Sequence, residues 1–170
     1  MVIILVIKKS DLEEQIANYV GRKYCFLVGR ATTAIYLAIK IYGFKSGNII
    51  IPSIVCPNPI FPVIYNDLEP RFCDINLNDF TLDFDSFKKQ VNENTKAVIP
   101  INLYGYPANY NEIIPFCKEN NIKVIEDAAQ SFGGSYNGKK MGSFGDISVI
   151  SFGHTKIIDV NSGGAVLTDD

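Results

Sequence analysis

Short apolar runs alternate with stretches of helical periodicity along this chain, and this alternation is what most limits how it can fold. Runs such as NIIIP (48–52) and DISVISF (146–152) have no polar face, so they predict strands that are buried on both sides. Further strands are predicted at 24–29, 71–75, 96–102, 122–127 and 164–169, helices at 32–43, 83–92, 110–121 and between 52 and 71, and a hairpin at 136–142. The pattern predicts an α/β fold whose mostly parallel sheet carries helices on both faces.

Composition narrows the class of protein. The 170 residues are enough for one domain, and 47% hydrophobic with 20% charged residues is typical of a globular chain. A net charge of -2 gives no reason to expect nucleic acid or a membrane surface as partner. The apolar start MVIILVIKK is too short to span a bilayer, so residues 1–11 are interpreted as a strand or an ill-defined extension. The domain is expected at 12–170.

Four cysteines and one histidine set the expectations for redox state and metals. Cys25, Cys56, Cys73 and Cys117 form no CxxC pair, and His154 does not complete a zinc set with them. Scattered thiols of this kind predict reduced cysteines in a cytoplasmic protein, with no metal.

Three polar stretches follow predicted strands: GRATT (29–33), EDAAQ (126–130) and GHTK (153–156). Ligands of such sheets bind at the carboxyl ends of the strands, so the three could meet at one edge. At the start of a helix, Thr32 and Thr33 could help to bind an anion, and Arg30 could add charge, although a threonine there is more often an N-cap. A dinucleotide-binding module is disfavoured, because GRATTA has only the first glycine of GxGxxG.

The stretches EDAAQ and GHTK can each be explained either by local structure alone or by a role in ligand chemistry. Asp127 or Glu126 could cap the next turn, or Asp127 could face a cationic group of a ligand, with Gln130 beside it. Lys156 lies among apolar and small residues, where desolvation favours a neutral amine that can form a Schiff base, but an isolated lysine usually extends to solvent. The following Gly163 and Gly164 could allow close approach of a ligand or only make a turn. An anion site, an acid and such a lysine together are what pyridoxal 5′-phosphate (PLP) requires.

The sequence resembles the DegT/DnrJ/StrS-type family of sugar aminotransferases, in the aspartate-aminotransferase fold group. The resemblance runs from about Leu12 to Asp170 and is carried by TKAVIPINLYGYPANYNEI, VIEDAAQSFGGSYNGKKMGSFGDISVISF and TKIIDVNSGGAVLTDD. It implies an aspartate-aminotransferase-like (PLP fold type I) large domain. It also implies a PLP enzyme that aminates nucleotide-linked keto-sugars with glutamate as donor and works as a homodimer in polysaccharide or antibiotic-sugar synthesis.

The resemblance also implies roles for individual residues. Lys156 matches the covalent anchor of the cofactor, and Asp127 matches the acid that pairs with the pyridine nitrogen. The remaining cofactor-binding positions are Ala31, Thr32, Cys56, Gln130 and Ser151. Ala31, Thr32 and Ser151 match phosphate-binding positions, and Gln130 matches a contact near the ring.

The chain departs from the family pattern at three positions near the site. Arg30 replaces a small residue beside the phosphate, Cys56 stands where many relatives have a stacking aromatic ring, and His154 stands where proline is common. Sugar 3-dehydratases, a related branch, have histidine in place of the anchoring lysine; the lysine at 156 favours transamination.

Relatives are more than twice as long, so the resemblance implies the amino-terminal part of the large domain without the small domain. The alternative is an inactive truncated remnant that at most binds PLP or a partner chain.

Overall fold

A computed structural model describes residues 8–170. The nine strands are β1 Tyr24–Val28, β2 Asn48–Pro52, β3 Glu69–Cys73, β4 Thr95–Val98, β5 Lys123–Asp127, β6 Ser135–Tyr136, β7 Lys139–Lys140, β8 Ile147–Ser151 and β9 Gly164–Thr168. The five α-helices are α1 Lys9–Val20, α2 Ala31–Ile41, α3 Ile60–Ile64, α4 Phe84–Gln90 and α5 Tyr110–Glu119. A single 3-10 turn covers Leu103–Gly105.

Seven strands form one sheet in the order β1-β9-β8-β5-β4-β2-β3, and β6 and β7 form a separate hairpin. The pairs from β3 to β8 are all parallel, whereas β9 runs antiparallel to both of its neighbours, β8 and β1. The prediction of a mostly parallel sheet is therefore confirmed. The register pairs Gly164, the first residue of β9, with Ser151 at the end of β8 and Val28 at the end of β1. The carboxyl ends of β1 and β8 thus meet at one edge, with the start of β9 between them.

The central strands alternate their side chains between two apolar layers, as the unbroken apolar runs predict. In β2, Ile49 and Ile51 pack with the buried residues of α2 and α3. Ile50 points the other way and packs with Phe87 of α4 and Ile113 of α5. Helix α1 covers β1, β8 and β9 through its own cluster. Helices on both faces of the sheet are therefore confirmed.

Two local features differ from the sequence expectations. Helix α1 was not predicted, because only Ile16, Ala17 and Val20 of its twelve residues are buried. Strand β4 ends at Val98 and not at 102, although Ile101 still bridges to Asp127. Of the strand or extension expected at residues 1–11, residues 1–7 lie outside the described residues, and Lys9–Asp11 belong to α1.

The hairpin predicted around Asn137-Gly138 is present. Tyr136 pairs with Lys139, and the two turn residues have φ of 49° and 78°, the left-handed values that a tight hairpin turn requires. Among the helices of residues 8–170, none combines the length and the apolar character that crossing a membrane would take.

Candidate active site

A cavity of about 250 Å³ lies at the carboxyl ends of β1, β5 and β8. The three polar stretches that the sequence singled out all contribute to its lining. All seven predicted site residues line it: Ala31, Thr32, Cys56, Asp127, Gln130, Ser151 and Lys156. The structure therefore brings together residues that are up to 125 positions apart in the chain, from Ala31 to Lys156.

The first turn of α2 forms one wall of this cavity. The N-cap residue is Arg30, in extended conformation, and its side chain makes no capping hydrogen bond. The first intrahelical bond runs from the Ala34 N–H to the Arg30 carbonyl, which leaves the three N–H groups before Ala34 without an intrahelical partner. Free N–H groups and the positive end of the helix dipole favour an anion here. The alternative, in which Thr32 is only an N-cap, is wrong because Thr32 lies inside the helix.

Gly164 lets this turn approach the start of β9. A Cβ atom on Gly164 would lie 2.5 Å from the Ala31 nitrogen and 2.7 Å from the Arg30 carbonyl carbon. The Ser162 hydroxyl also donates to the Gly29 carbonyl, at 2.9 Å. Gly164 therefore accommodates the backbone of the strand–helix turn, whereas Gly163 lines the cavity itself.

We expect Gly164→Ala to destabilise the protein by about 1–3 kcal/mol, since the new methyl group meets backbone atoms that have little room to move. Gly29→Ala is the matched control, because a Cβ at Gly29 meets nothing within 4 Å. Chemical denaturation of both variants measures the difference. Equal stability of the two variants would contradict the close approach.

Asp127 is the only carboxylate among residues 8–170 that lines the cavity, and it is 5% exposed. Its Oδ1 accepts a hydrogen bond of 2.9 Å from the Ala129 N–H, and Oδ2 has no donor among residues 8–170. Burial raises the pKa of Asp127, while the Ala129 N–H and the Lys156 ammonium act to lower it. Asp127 does cap the next turn, as the ordinary interpretation held, and it still presents a free oxygen to the cavity.

The side chain of Glu126 points to the opposite side of the sheet from that of Asp127 and contacts different groups. Its carboxylate accepts hydrogen bonds from the Asn102 amide (3.0 Å) and from the N–H groups of Gly142 and Phe144 (2.7 Å each). Burial raises the pKa of Glu126 to about 7, against these three donors and Arg22, which lower it. Glu126 thus joins two loops beneath the sheet edge and takes no part in the cavity.

Gln130 and Ser151 each bond to a loop beside the cavity. The Gln130 Oε1 accepts the N–H of Tyr104, at 3.1 Å, and Tyr104 has a φ of 52°. The Ser151 Oγ accepts the Gly153 N–H, at 3.3 Å. These bonds orient both side chains where β5 and β8 end.

Lys156 is half-buried, and within the described part of the chain it is the one lysine that lines the cavity. Its neighbours Ile157 and Ile158 are exposed, so they do not provide the apolar surrounding expected from the sequence. Cys56 also lines the cavity and is exposed. Sequence reasoning did not single out Asn58, Asn161 and Ser162, which also line the cavity. The only signal for the last two was their place directly before the glycine pair.

Comparison with known proteins gives a consistent result. The family model of the DegT/DnrJ/EryC1/StrS aminotransferases matches residues 6–170. GDP-perosamine synthase of Caulobacter vibrioides is 34% identical over 161 residues, which are 94% of this chain and 43% of that protein. A dTDP-3-amino-3,6-dideoxy-alpha-D-galactopyranose transaminase of Aneurinibacillus thermoaerophilus is 34% identical, over 95% of this chain and 45% of that protein. The chain therefore spans less than half the length of these curated relatives.

A solved structure shares the fold. GDP-4-keto-6-deoxymannose-3-dehydratase with a trapped PLP-glutamate geminal diamine superposes with a TM-score of 0.88 at 33% identity, and the match covers 95% of this chain and 44% of that chain. The predicted aspartate-aminotransferase-like fold, that of a PLP fold type I large domain, is confirmed by this likeness.

Proposed function

Because this chain belongs to the DegT/DnrJ/EryC1/StrS aminotransferase family, we propose that it carries the PLP site of an aminotransferase that acts on nucleotide-linked keto-sugars, with glutamate as donor. Residues 12–170 would form the amino-terminal part of the large domain. The observation that carries the proposal is that a free helix start, a buried acid and a lysine line the same cavity.

The cavity fits the two ends of PLP. The N–H groups at the start of α2, with the hydroxyls of Thr32 and Ser151, would hold the phosphate, and they suit its negative charge. The free Oδ2 of Asp127 would face the ring nitrogen, and Lys156 would be the covalent anchor. When bound, PLP supplies an electron sink for the carbon that carries the amine.

Each residue of this chain has a separate task in the proposed reaction. Asp127 keeps a proton on the ring nitrogen, because a buried carboxylate is stabilised by a cation opposite it. Lys156 moves protons at the reacting carbon. Gln130 positions the ring region from a side chain that Tyr104 holds. Cys56 packs against the ring where many relatives place an aromatic group, and it covers less area.

The proposal also covers the oligomeric state of the protein and its cellular compartment. We propose a homodimer, supported by three apolar side chains of and beside α3 that are exposed: Phe61, Ile64 and Tyr65. The four cysteines are all unpaired, and this supports a reducing compartment such as the cytoplasm. A nucleotide-sugar substrate would be consistent with a role in the synthesis of a polysaccharide or of an antibiotic sugar.

The test combines a binding measurement with an amination assay. PLP added to the protein should give a new absorbance band that dialysis does not remove. Incubation with glutamate and a GDP- or dTDP-linked keto-sugar should then yield an amino sugar, detected by mass spectrometry. PLP binding without amination would favour the alternative of an inactive remnant, and absence of both would reject the proposal.

A further inference from the structure

We propose that His154 and Asp159 form an acid–base pair at the rim of the cavity, in which the imidazole takes a proton from the amine that enters the site. The His154 Nδ1 lies 3.1 Å from the Asp159 Oδ2, and His154 lines the same cavity as Lys156. This inference rests on the proposed function, and it names a residue outside the predicted site.

Asp159 is held in place by its own loop. Its Oδ2 accepts the Thr155 N–H at 3.0 Å, and its Oδ1 accepts the Asn161 N–H at 2.7 Å. Thr155 and Asn161 have φ of 68° and 72°, so the loop folds around this carboxylate. The two backbone N–H groups and then His154 lower the pKa of Asp159. A fixed carboxylate that stays ionised can orient the imidazole beside it.

The contact decides which imidazole nitrogen carries the proton. An ionised carboxylate is only an acceptor, so the Nδ1 of His154 must be the donor to Asp159. In the neutral imidazole this leaves Nε2 with a free lone pair, which is the form that accepts a proton. The same arrangement of a base oriented by a carboxylate serves nucleophile activation in other enzymes.

His154 also differs from the other groups that line the cavity. The ionisable ones are Arg30, Cys56, Asp127, His154 and Lys156. Histidine is the one of these residue types that most often serves as a general base in enzymes. Its side chain is 80% exposed, so a proton taken up at Nε2 can leave to solvent.

The step that requires such a base is the entry of the amino donor. Glutamate carries an ammonium group at neutral pH and has no lone pair with which to attack. Transfer of one ammonium proton to the His154 Nε2 gives a neutral amine and an imidazolium. The imidazolium then releases its proton to water, so the group returns to its starting state.

The first experiment determines which nitrogen of the neutral His154 ring carries the proton, and it does not require enzymatic activity. His154 is the only histidine of the 170 residues, so two-bond ¹H–¹⁵N spectra of the labelled protein report on it alone. At a pH where the ring is neutral, we expect Nδ1 protonated and Nε2 free. Asp159→Asn should return the ring to the Nε2-protonated form that is usual for histidine in water. Asp170→Asn, a control at an exposed carboxylate, should change nothing.

The second experiment tests the proton transfer by measuring the rate at which the PLP-loaded protein reacts with glutamate. In stopped-flow absorbance with PLP-loaded protein and glutamate, His154→Gln should react about 100-fold more slowly at neutral pH while PLP affinity is unchanged. Added imidazole should restore part of the rate, which a merely structural role would not allow. Lys139→Gln, a control on the hairpin, should react like the unchanged protein.

The outcomes separate this inference from the proposed function. A protein that binds no PLP overturns the proposed function and the role of His154 with it. A protein that binds PLP and reacts equally fast with His154→Gln overturns only the role of His154. An Nε2-protonated ring in the unchanged protein overturns the pairing with Asp159.

Discussion

Borohydride treatment of the PLP-loaded protein is expected to fix the cofactor on Lys156 and on no other lysine. Of the lysines in residues 8–170, only Lys156 lines the cavity, and it lies close enough to Asp127 to lower the pKa of that carboxyl. A hydrogen bond from its N–H to the Gly153 carbonyl, at 3.2 Å, holds the turn that follows β8. Peptide mapping after reduction measures the label.

Two variants sharpen this result. Lys156→Gln keeps a polar side chain of similar length but has no amine, so the label should fall to background. Lys140→Gln is the control: Lys140 lies on the hairpin, with its Nζ 4.9 Å from the ring centroid of Tyr19, and it does not line the cavity. This variant should be labelled like the unchanged protein. A label on Lys139 or Lys140 would refute the assignment.

The strands of this fold were predictable because their signal is local. Five-residue runs such as β2 and β8, in which apolar residues predominate, are buried at every position, so their burial can be recognised without knowing their partners. The antiparallel direction of β9 was not predictable. Four of its five residues are buried, and such a run of apolar residues is the same in a parallel and in an antiparallel strand. Helix α1 was not predicted because only three of its twelve side chains are buried, which gives a weak apolar stripe.

The membership of the site was predictable, and its internal contacts were not. Polar residues at the ends of predicted strands pointed to Asp127 and Lys156, since parallel strands present their ends at one edge. Ser151 was indicated only by the family resemblance. The choice between Glu126 and Asp127 needed the structure, because neighbours in a strand face opposite sides. The pairing of His154 with Asp159 depends on a loop with left-handed residues, for which the sequence offers no periodic signal.

Asp127→Asn should lower turnover by about three powers of ten in the PLP-loaded protein, which corresponds to about 4 kcal/mol of transition-state stabilisation. Asparagine has nearly the same shape, and its oxygen can still accept the Ala129 N–H. It lacks the negative charge that keeps the ring nitrogen of PLP protonated. Steady-state amination rates at saturating substrate measure the loss. A rate within tenfold of the unchanged protein would rule out this role.

The stability of the same variant distinguishes a functional role from a structural one. Burial raises the pKa of Asp127, so the folded protein holds this proton more tightly than the unfolded chain does. The stabilisation that the protonated carboxyl gives is present at low pH and is lost as pH rises through the raised pKa. Asparagine cannot ionise, so we expect the PLP-free variant to unfold at the same or a higher temperature at pH 8, with a smaller difference at pH 4. A variant that is less stable by more than about 1 kcal/mol at pH 8 would show that the Asp127 charge supports the fold, since a group kept for catalysis usually costs stability.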